Sequence, residues 1–385
     1  MKNYNELLNE NRAWAEETFA KIDKKLSVVT KRRSDIICGD ANVDTGLRGS
    51  INANDWTSGF WGGLNWILYA YTNKEEYKIT AENNVRLLDE GLKNYEKLYH
   101  DVGFMWHLAV GSDYRLTGNE ESKVRNLYAA ATLASRFILG GEYIRAWNAK
   151  GAANWTIVDC LMNLPILYWA SDVIGDDRFK RIAMAHADTT IDTHLRPDGS
   201  IVHIVEHDRE TGECVTTHAG QGCAVGSSWS RGQAWAIYGF TLSYLHTKEE
   251  RYLDAAKQVA NYFIANCCDD WLPRVDFRAP STPVYYDSTA GACAACGMIE
   301  IAKALPENEG GMYMNAALNI LKAMEKAFCN FDESADYILG YGTVRYPIPG
   351  TYTEEKAGVH VPIIYGDFFY TEAILKLLGA EFNPW

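Results

Sequence analysis

The carboxylates set among large apolar residues are the side chains of this sequence best suited to chemistry. Asp159 sits in Trp155–Trp169, WTIVDCLMNLPILYW, where it is the single charged group. Burying a lone carboxylate costs several kcal/mol unless it is partnered or protonated. Desolvation favours the neutral acid, and an acid that keeps its proton near neutral pH can deliver it to a substrate. Pro165 cannot lie unkinked inside a helix, so Asp159 is expected near a helix start or kink. A plain helix cap is the competing reading of Asp159. Asp101 is a second candidate, in His100-Asp101-Val102-Gly103-Phe104, again with capping as the alternative. His203 and Arg231 offer cationic or polar contacts, and Gln221 offers hydrogen bonds. Trp56, Trp61, Trp147, Trp229 and Trp235 offer flat apolar walls. Taken singly, a satisfied structural His, a stacked Arg and core tryptophans explain the same residues. Taken together, aromatic walls with a few placed polar groups suit a sugar, whose rings have apolar C–H faces and polar edges.

These residues need elements that bring them to one face. Residues 4–26 have apolar positions at helical spacing, including Leu7, Leu8, Trp14, Phe19 and Ile22. Trp56–Tyr71 is apolar nearly throughout, as a buried helix is, and its Gly59, Gly62 and Gly63 indicate close approach of another backbone or a ligand. A loose repeat follows: an apolar helix ends, and an acidic first turn opens an amphipathic one, at Thr72–Tyr77, Thr117–Glu121, Gly175–Phe179 and Thr247–Tyr252. The apolar members are Trp56–Tyr71, Val102–Leu116, Val158–Ile174, Trp229–His246, Tyr285–Ala304 and Asp367–Leu378. The amphipathic members begin near Tyr4, Glu75, Glu120, Asp176, Glu249 and Glu309. Six such pairs can close into a ring with the apolar helices inside. The expectation is an all-α (α/α)6 barrel, a six-hairpin toroid, forming one catalytic domain over residues 1–385, with a small strand-like insert near 200–218. The candidate residues fall in loops and inner-helix ends.

Composition narrows the function. The 385 residues are 47% hydrophobic and 12% aromatic, with no Pro/Ser/Gly-rich linker to divide them. A net charge of −13 argues against nucleic acid and anionic membrane surfaces, though not against a small anionic ligand. No apolar run approaches the roughly 18 residues of a membrane span, and the N-terminus lacks signal character. Nine irregularly spaced Cys suit a reducing cytoplasm, and Cys293 and Cys296, in a small-residue helical run, read as core packing. Cys293-Ala-Ala-Cys296 has no second pair or His set at ligand spacing, so no metal site is expected.

The chain resembles the unsaturated glucuronyl hydrolases of glycoside hydrolase family 88 over most of its length. The resemblance is carried by His100–Phe104, by Asp159 with Met162-Asn-Leu-Pro165, and by Asp198-Gly-Ser200 followed by His203. Ser228-Trp-Ser-Arg-Gly-Gln-Ala-Trp235, the most specific mark, and Gly366-Asp-Phe-Phe-Tyr370 complete it. It implies the (α/α)6 barrel and action on unsaturated disaccharides made by polysaccharide lyases. It also implies Asp159 as general acid and base, Asp101 as the second essential carboxylate, and substrate contacts from His203, Gln221, Trp229, Arg231, Trp235 and Trp147. The choice between Trp56 and Trp61 at the sugar stays open. The chemistry so implied is protonation of C4 of a 4,5-unsaturated uronate, an oxocarbenium-like centre at C5, and addition of water there. No metal or organic cofactor is called for. Asp101 as a neighbouring anion is expected to raise the pKa of Asp159, and Arg231 with His203 to offset the substrate's negative charge.

One segment departs from the pattern. Where some family members place a Ser-x-x-Ser-x-Lys sulfate acceptor, this chain has Gly350-Thr-Tyr-Thr-Glu-Glu-Lys356. Glu354 and Glu355 have the wrong sign for sulfate, so an unsulfated substrate is expected. Three other readings remain: an unsaturated rhamnogalacturonyl hydrolase acting on pectin fragments, an epimerase or ordinary inverting glycosidase, and a non-catalytic sugar-binding protein. The epimerase needs paired His where this chain offers paired Asp, and the intact carboxylates argue against the binding protein.

Overall fold

Acidic first turns and apolar stretches alternate along the chain, and outer and inner helices alternate with them. The computed structural model describes residues 2–385. Outer α1 (Tyr4–Arg32) leads to inner α2 (Ser58–Thr72), outer α3 (Glu75–Leu92), and an inner π-helix Gly103–Gly111 that continues as α4 (Ser112–Thr117). Outer α5 (Glu120–Ala134), inner α6 (Pro165–Ile174), outer α7 (Arg178–His194), inner α8 (Ser230–Thr247), outer α9 (Glu250–Cys267), inner α10 (Ser288–Ala304) and outer α11 (Glu307–Phe328) follow. A short α12 (Glu354–Ala357) precedes inner α13 (Ile364–Leu377), which packs on α2 and closes the ring. This is the expected (α/α)6 barrel, with each apolar stretch inside. The inner helices are buried nearly all round, whereas α1 buries one stripe, Leu7, Ala15, Ile22, Leu26 and Val29.

Aromatic packing holds the inner ring. Phe60 of α2 meets Phe104, Tyr365, Phe368 and Phe369 at centroid separations of 5.2, 5.6, 5.4 and 5.9 Å. Tilted and edge contacts of this kind add about 0.5–1.5 kcal/mol each beyond their area. Gly59 is where α2 nearly touches the neighbouring helix, since a Cβ there would strike the Phe104 carbonyl oxygen. Cys293 and Cys296 lie buried between inner helices, their thiols 3.6 and 3.2 Å from the carbonyl oxygens of Ala234 and Phe369.

Three local features differ from the expected elements. The Asp101 segment leads into a nine-residue π-helix rather than an α-helix. The Asp159 segment is a 3-10 turn, Val158–Asn163, and α6 starts only at Pro165, its first residue, where a missing N–H costs nothing. The insert has three antiparallel strands: β5 (Trp155–Ile157) joins β6 (Ile204–His207) and β7 (Cys214–His218), with Thr156 opposite Val205 and Glu206 opposite Thr216. Two further short hairpins pair β1 (Cys38–Ala41) with β2 (Arg48–Ser50) and β3 (Phe137–Ile138) with β4 (Tyr143–Ile144). Among the described residues, no helix is long and apolar enough to cross a membrane.

Candidate active site

The sheet and the inner-helix starts converge on Asp159. The Ile157–Ile204 pair sets β5 against β6, and Val158 N–H donates to the carbonyl of His203 at 3.1 Å. That register turns the His203 ring toward the carboxylate, with Nε2 3.5 Å from Asp159 Oδ1. This is ion-pair distance, longer than a formed hydrogen bond. The other ring nitrogen, Nδ1, lies 3.0 Å from the Gln221 backbone N and 3.3 Å from the Ala219 carbonyl oxygen, which leaves Nε2 facing Asp159. Gly220 makes the approach possible. Its φ is +60°, and a Cβ there would collide with His203 Nδ1. Trp229 packs on the His203 ring at 4.2 Å between centroids, and the Arg231 guanidinium lies 4.4 Å from the Trp229 ring.

Asp101 belongs to a neighbouring cleft of about 560 Å³, lined by Asn52, Asn54, Asp55, Trp56, Lys97, Tyr99, Met105 and Trp147. His100 Nε2 is 3.2 Å from Asp101 Oδ1, and Trp147 meets the His100 ring edge-on at 5.7 Å. Both carboxylates are more than nine-tenths buried, and they shift in opposite directions. Burial, then the charge of Asp159, push Asp101 well above the usual carboxylate range. Burial also acts to raise Asp159, but the contact and charge of His203, with the Arg231 charge, outweigh it and hold Asp159 below that range. The expected raising of Asp159 is not found: Asp101 is the carboxyl pushed up, and Asp159 the one held down. Burial lowers His100 to about 4, leaving it neutral at physiological pH.

Arg231 also departs from expectation. It is fully buried and faces Asp287, with Nη1 2.6 Å from Oδ2, while Nη1 and Nη2 donate at 2.7 Å to the carbonyls of Thr343 and Val344. Asp287 already balances the charge meant for the substrate. Gln221 Nε2 donates to the same Val344 carbonyl, and Gln221 O accepts the Tyr346 N–H at 2.9 Å. Arg231 and Gln221 thus pin the 343–346 loop against the site.

The tryptophans divide. Trp56 and Trp147 line the Asp101 cleft, and Trp56 also borders a smaller cavity of about 150 Å³ shared with Asp40, Arg231 and Tyr365. Trp61 is buried against the other side of α2, and its indole N–H donates to the Arg33 carbonyl at 3.3 Å, so it is core and not site wall. Trp235 is likewise wholly buried, packed on Phe104 and Phe369 at 5.4 and 5.5 Å. Trp235 departs from the expected substrate set, and of the pair left open it is Trp56, not Trp61, that lines a cleft; the cause is their place on the helix. Trp61 is the fourth residue of α2 and Trp235 the sixth of α8, where core packing decides, whereas Trp56 precedes its helix. Asp287, Asn163, Tyr365 and Asp55 were missed. Asn163 stood inside a quoted motif, but no local signal marks the others. Among the described residues, no group of His, Cys, Asp and Glu is arranged to hold a metal ion.

A closed helical ring, a Trp-walled cleft and two buried carboxyls define a carbohydrate-active hydrolase. The sequence profile described as Glycosyl Hydrolase Family 88 matches residues 41–293. An unsaturated glucuronyl hydrolase of Bacillus sp. (strain GL1) is 36% identical over 347 residues, 87% of this chain and 89% of that one. An unsaturated chondroitin disaccharide hydrolase of Streptococcus pneumoniae is 32% identical over 85% of this chain and 82% of its own. A mutant unsaturated glucuronyl hydrolase from Streptococcus agalactiae, solved in complex with dGlcA-GalNAc6S, superposes with a TM-score of 0.81 at 27% identity, covering 96% of this chain and 93% of that one. The chain belongs to glycoside hydrolase family 88, and it is a glycoside hydrolase.

Proposed function

We propose that this enzyme hydrolyses unsaturated disaccharides released by polysaccharide lyases, freeing the terminal 4,5-unsaturated uronate from its neighbouring sugar. The observation that carries the reading is the pair of buried carboxyls, Asp101 pushed up and Asp159 held down in pKa, beside a cleft walled by Trp56 and Trp147. The relatives named for unsaturated uronate substrates support it.

The substrate's double bond joins C4 to C5, and C5 also bears the ring oxygen, so the bond is a vinyl ether conjugated to a carboxylate. Asp159 delivers a proton to C4, and positive charge develops at C5 and the ring oxygen. Water adds at C5 while Asp159, now a carboxylate, takes its proton. The resulting hemiketal opens and releases the sugar. One group serves twice, so the carboxylate-separation rule for retaining and inverting glycosidases does not carry over. Asp159 is held below the usual carboxylate range, so it must acquire a proton before it can act. An arriving uronate carboxylate would favour this, since a nearby like charge raises a carboxyl's pKa. The same observation favours a second assignment, Asp101 as acid and Asp159 as base. His203 and Gln221 orient Asp159 and the substrate, and Trp229 and Arg231 back them.

The test follows loss of the conjugated absorbance across lyase-generated disaccharides from hyaluronan, chondroitin, gellan-type and pectic polymers. Rapid loss with a glucuronyl member is expected. Turnover of the rhamnogalacturonan product alone would move the enzyme to pectin, and binding without turnover would make it a sugar-binding protein. The pH profile of kcat/KM separates the two acid assignments: the carboxyl whose Asn variant loses the basic limb is the acid.

A further inference from the structure

Between the two carboxyl-bearing segments lies one wholly buried amide that the reaction scheme does not use. Asn163 is the last residue of the 3-10 turn that begins at Val158. Its Nδ2 donates to the Asp159 carbonyl at 3.3 Å, and its Oδ1 accepts the Phe104 N–H at 2.7 Å. Phe104 lies in the first turn of the π-helix, whose leading N–H groups have no partner within the helix. Asn163 therefore caps one element from another. The same amide acts to lower the Asp101 pKa against the burial that raises it. Gly103 completes the junction, because a Cβ there would lie 2.7 Å from both Cα and Oδ1 of Asn163. The 3-10 turn and the π-helix start thus meet without a side chain between them, joined by one group that is both donor and acceptor. Long π-helical stretches are rare and collect at functional sites.

We propose that Asn163 is a positioning residue for the reaction: its amide, with the Gly103 contact, fixes the placement of Asp101 relative to Asp159. The inference rests on the hydrolase reading above. Asp in its place keeps the size but loses the donor and adds a third buried acid. Ser keeps a hydroxyl but cannot span the gap.

The experiment compares wild type, Asn163→Asp, Asn163→Ser and Gly103→Ala for kcat, KM, the pH–rate profile and thermal midpoint. Asn65→Ala is the control. Asn65 is an equally buried amide that bonds Thr30 and the Trp61 carbonyl at 2.8 Å each, away from the carboxyls. The expected result is a fall in kcat of about tenfold to a hundredfold for folded Asn163 variants, with KM changed by less than about threefold, because a misplacement of about 1 Å costs on that order. The limbs of the pH–rate profile should move as well. Asn65→Ala should lower the thermal midpoint and leave that profile in place. A folded Asn163 variant with wild-type kcat and pH profile overturns the proposal, as does activity lost by Asn163 and Asn65 variants alike only in step with the folded fraction. Should neither Asn163 variant fold, a folded Gly103→Ala with normal kinetics overturns it, and one with the reduced kcat and displaced limbs supports it. A wild-type protein inactive on every unsaturated disaccharide would refute the hydrolase reading instead.

Discussion

At the residue scale, Asp101 and Asp159 are both buried yet shift in opposite directions, and the sign has a consequence for stability. Asp101 has a folded pKa above its unfolded value, so ionising it opposes folding. That penalty is absent below the unfolded pKa of about 3.9 and grows as pH rises toward the folded value. Asp159 has a depressed folded pKa, so its ionised form stabilises the fold above about 3.9, and the stabilisation is lost as pH falls through the folded value. Asp101→Asn should therefore raise the thermal midpoint at neutral pH, with a gain that fades on acidification, and Asp159→Asn should lower it. Melting curves from pH 3 to 8 check both; shifts of the same sign would mean the two pKa shifts are not opposed as described. In activity, Asp159→Asn should cost about 10²–10⁴-fold in kcat, the usual worth of a general acid–base group. Near-normal turnover by the folded variant would remove Asp159 from the mechanism. Arg231 is a different case, because its fork bonds Asp287 and two loop carbonyls. Arg231→Lys keeps the charge but loses the planar fork and the stacking on Trp229, so both activity and thermal midpoint should fall. Arg231→Met strands a buried carboxylate and should cost about 3–5 kcal/mol, part of it recovered in Arg231→Met/Asp287→Asn, which keeps the oxygen that accepts the Thr289 and Thr343 N–H groups. A double-mutant cycle by denaturant unfolding measures this, and additive single effects would contradict the pairing.

At the element scale, the parts legible in sequence are those fixed by local pattern. Apolar stretches flanked by acidic first turns marked the inner and outer helices, because burial all round and helix-dipole stabilisation both write themselves into composition. Pro165 placed a boundary just after Asp159, and α6 does begin there. The π-helix was not legible, since a shift from i→i+4 to i→i+5 bonding is imposed by what packs alongside, here Asn163 on Phe104 N–H. Nor was β5: Trp155–Ile157 reads as the start of an apolar helical run, and only pairing to β6 makes it a strand. Site residues in loops and at helix starts, Asp101, Asp159, His203 and Trp56, were readable from polar or aromatic types out of pattern. Trp235 was misplaced and Trp61 left open because a Trp inside a buried helix carries no label for which face it takes. Asp287 could not be assigned, as it lies 56 positions from Arg231. Gly220 is where the sheet positions the site, and it yields a further prediction. Gly220→Ala puts a Cβ against His203 Nδ1 at a left-handed backbone position that costs about 1–2 kcal/mol for other residues. Turnover should fall by more than the loss of folded protein explains, because the His203 ring is pushed off Asp159. Kinetics normalised to folded fraction read this directly, and unchanged normalised kcat would leave Gly220 a turn residue only.

At the scale of the molecule, a net charge of −13 surrounds a site whose substrate is an anion, so local cations must decide which anions are admitted. Arg231 is balanced by Asp287, and the segment where some relatives accept sulfate adds acid. Thr353 Oγ1 accepts the Lys356 N–H at 3.3 Å and so caps its own short helix. Glu354 Oε1 accepts from the Tyr285 hydroxyl at 2.7 Å, which holds the carboxylate beside Tyr285 and its edge-on partner Tyr346, 5.7 Å away. Tyr346 in turn bonds Gln221, so this acid is anchored to the same loop that borders the site. A sulfate arriving here would need donors, and charge-assisted hydrogen bonds are the strong ones, whereas Glu354 accepts only. A like charge within a few Å costs about 1 kcal/mol at the surface and more where water is excluded, or roughly fivefold in binding. Unsulfated unsaturated disaccharides should therefore be cleaved with higher kcat/KM than their 6-sulfated counterparts, and Glu354→Gln should narrow the gap. Matched pairs differing only in sulfate supply the measurement. A clear preference for the sulfated member would refute the prediction and assign the sulfate to Lys356 or another cation, with both glutamates turned away.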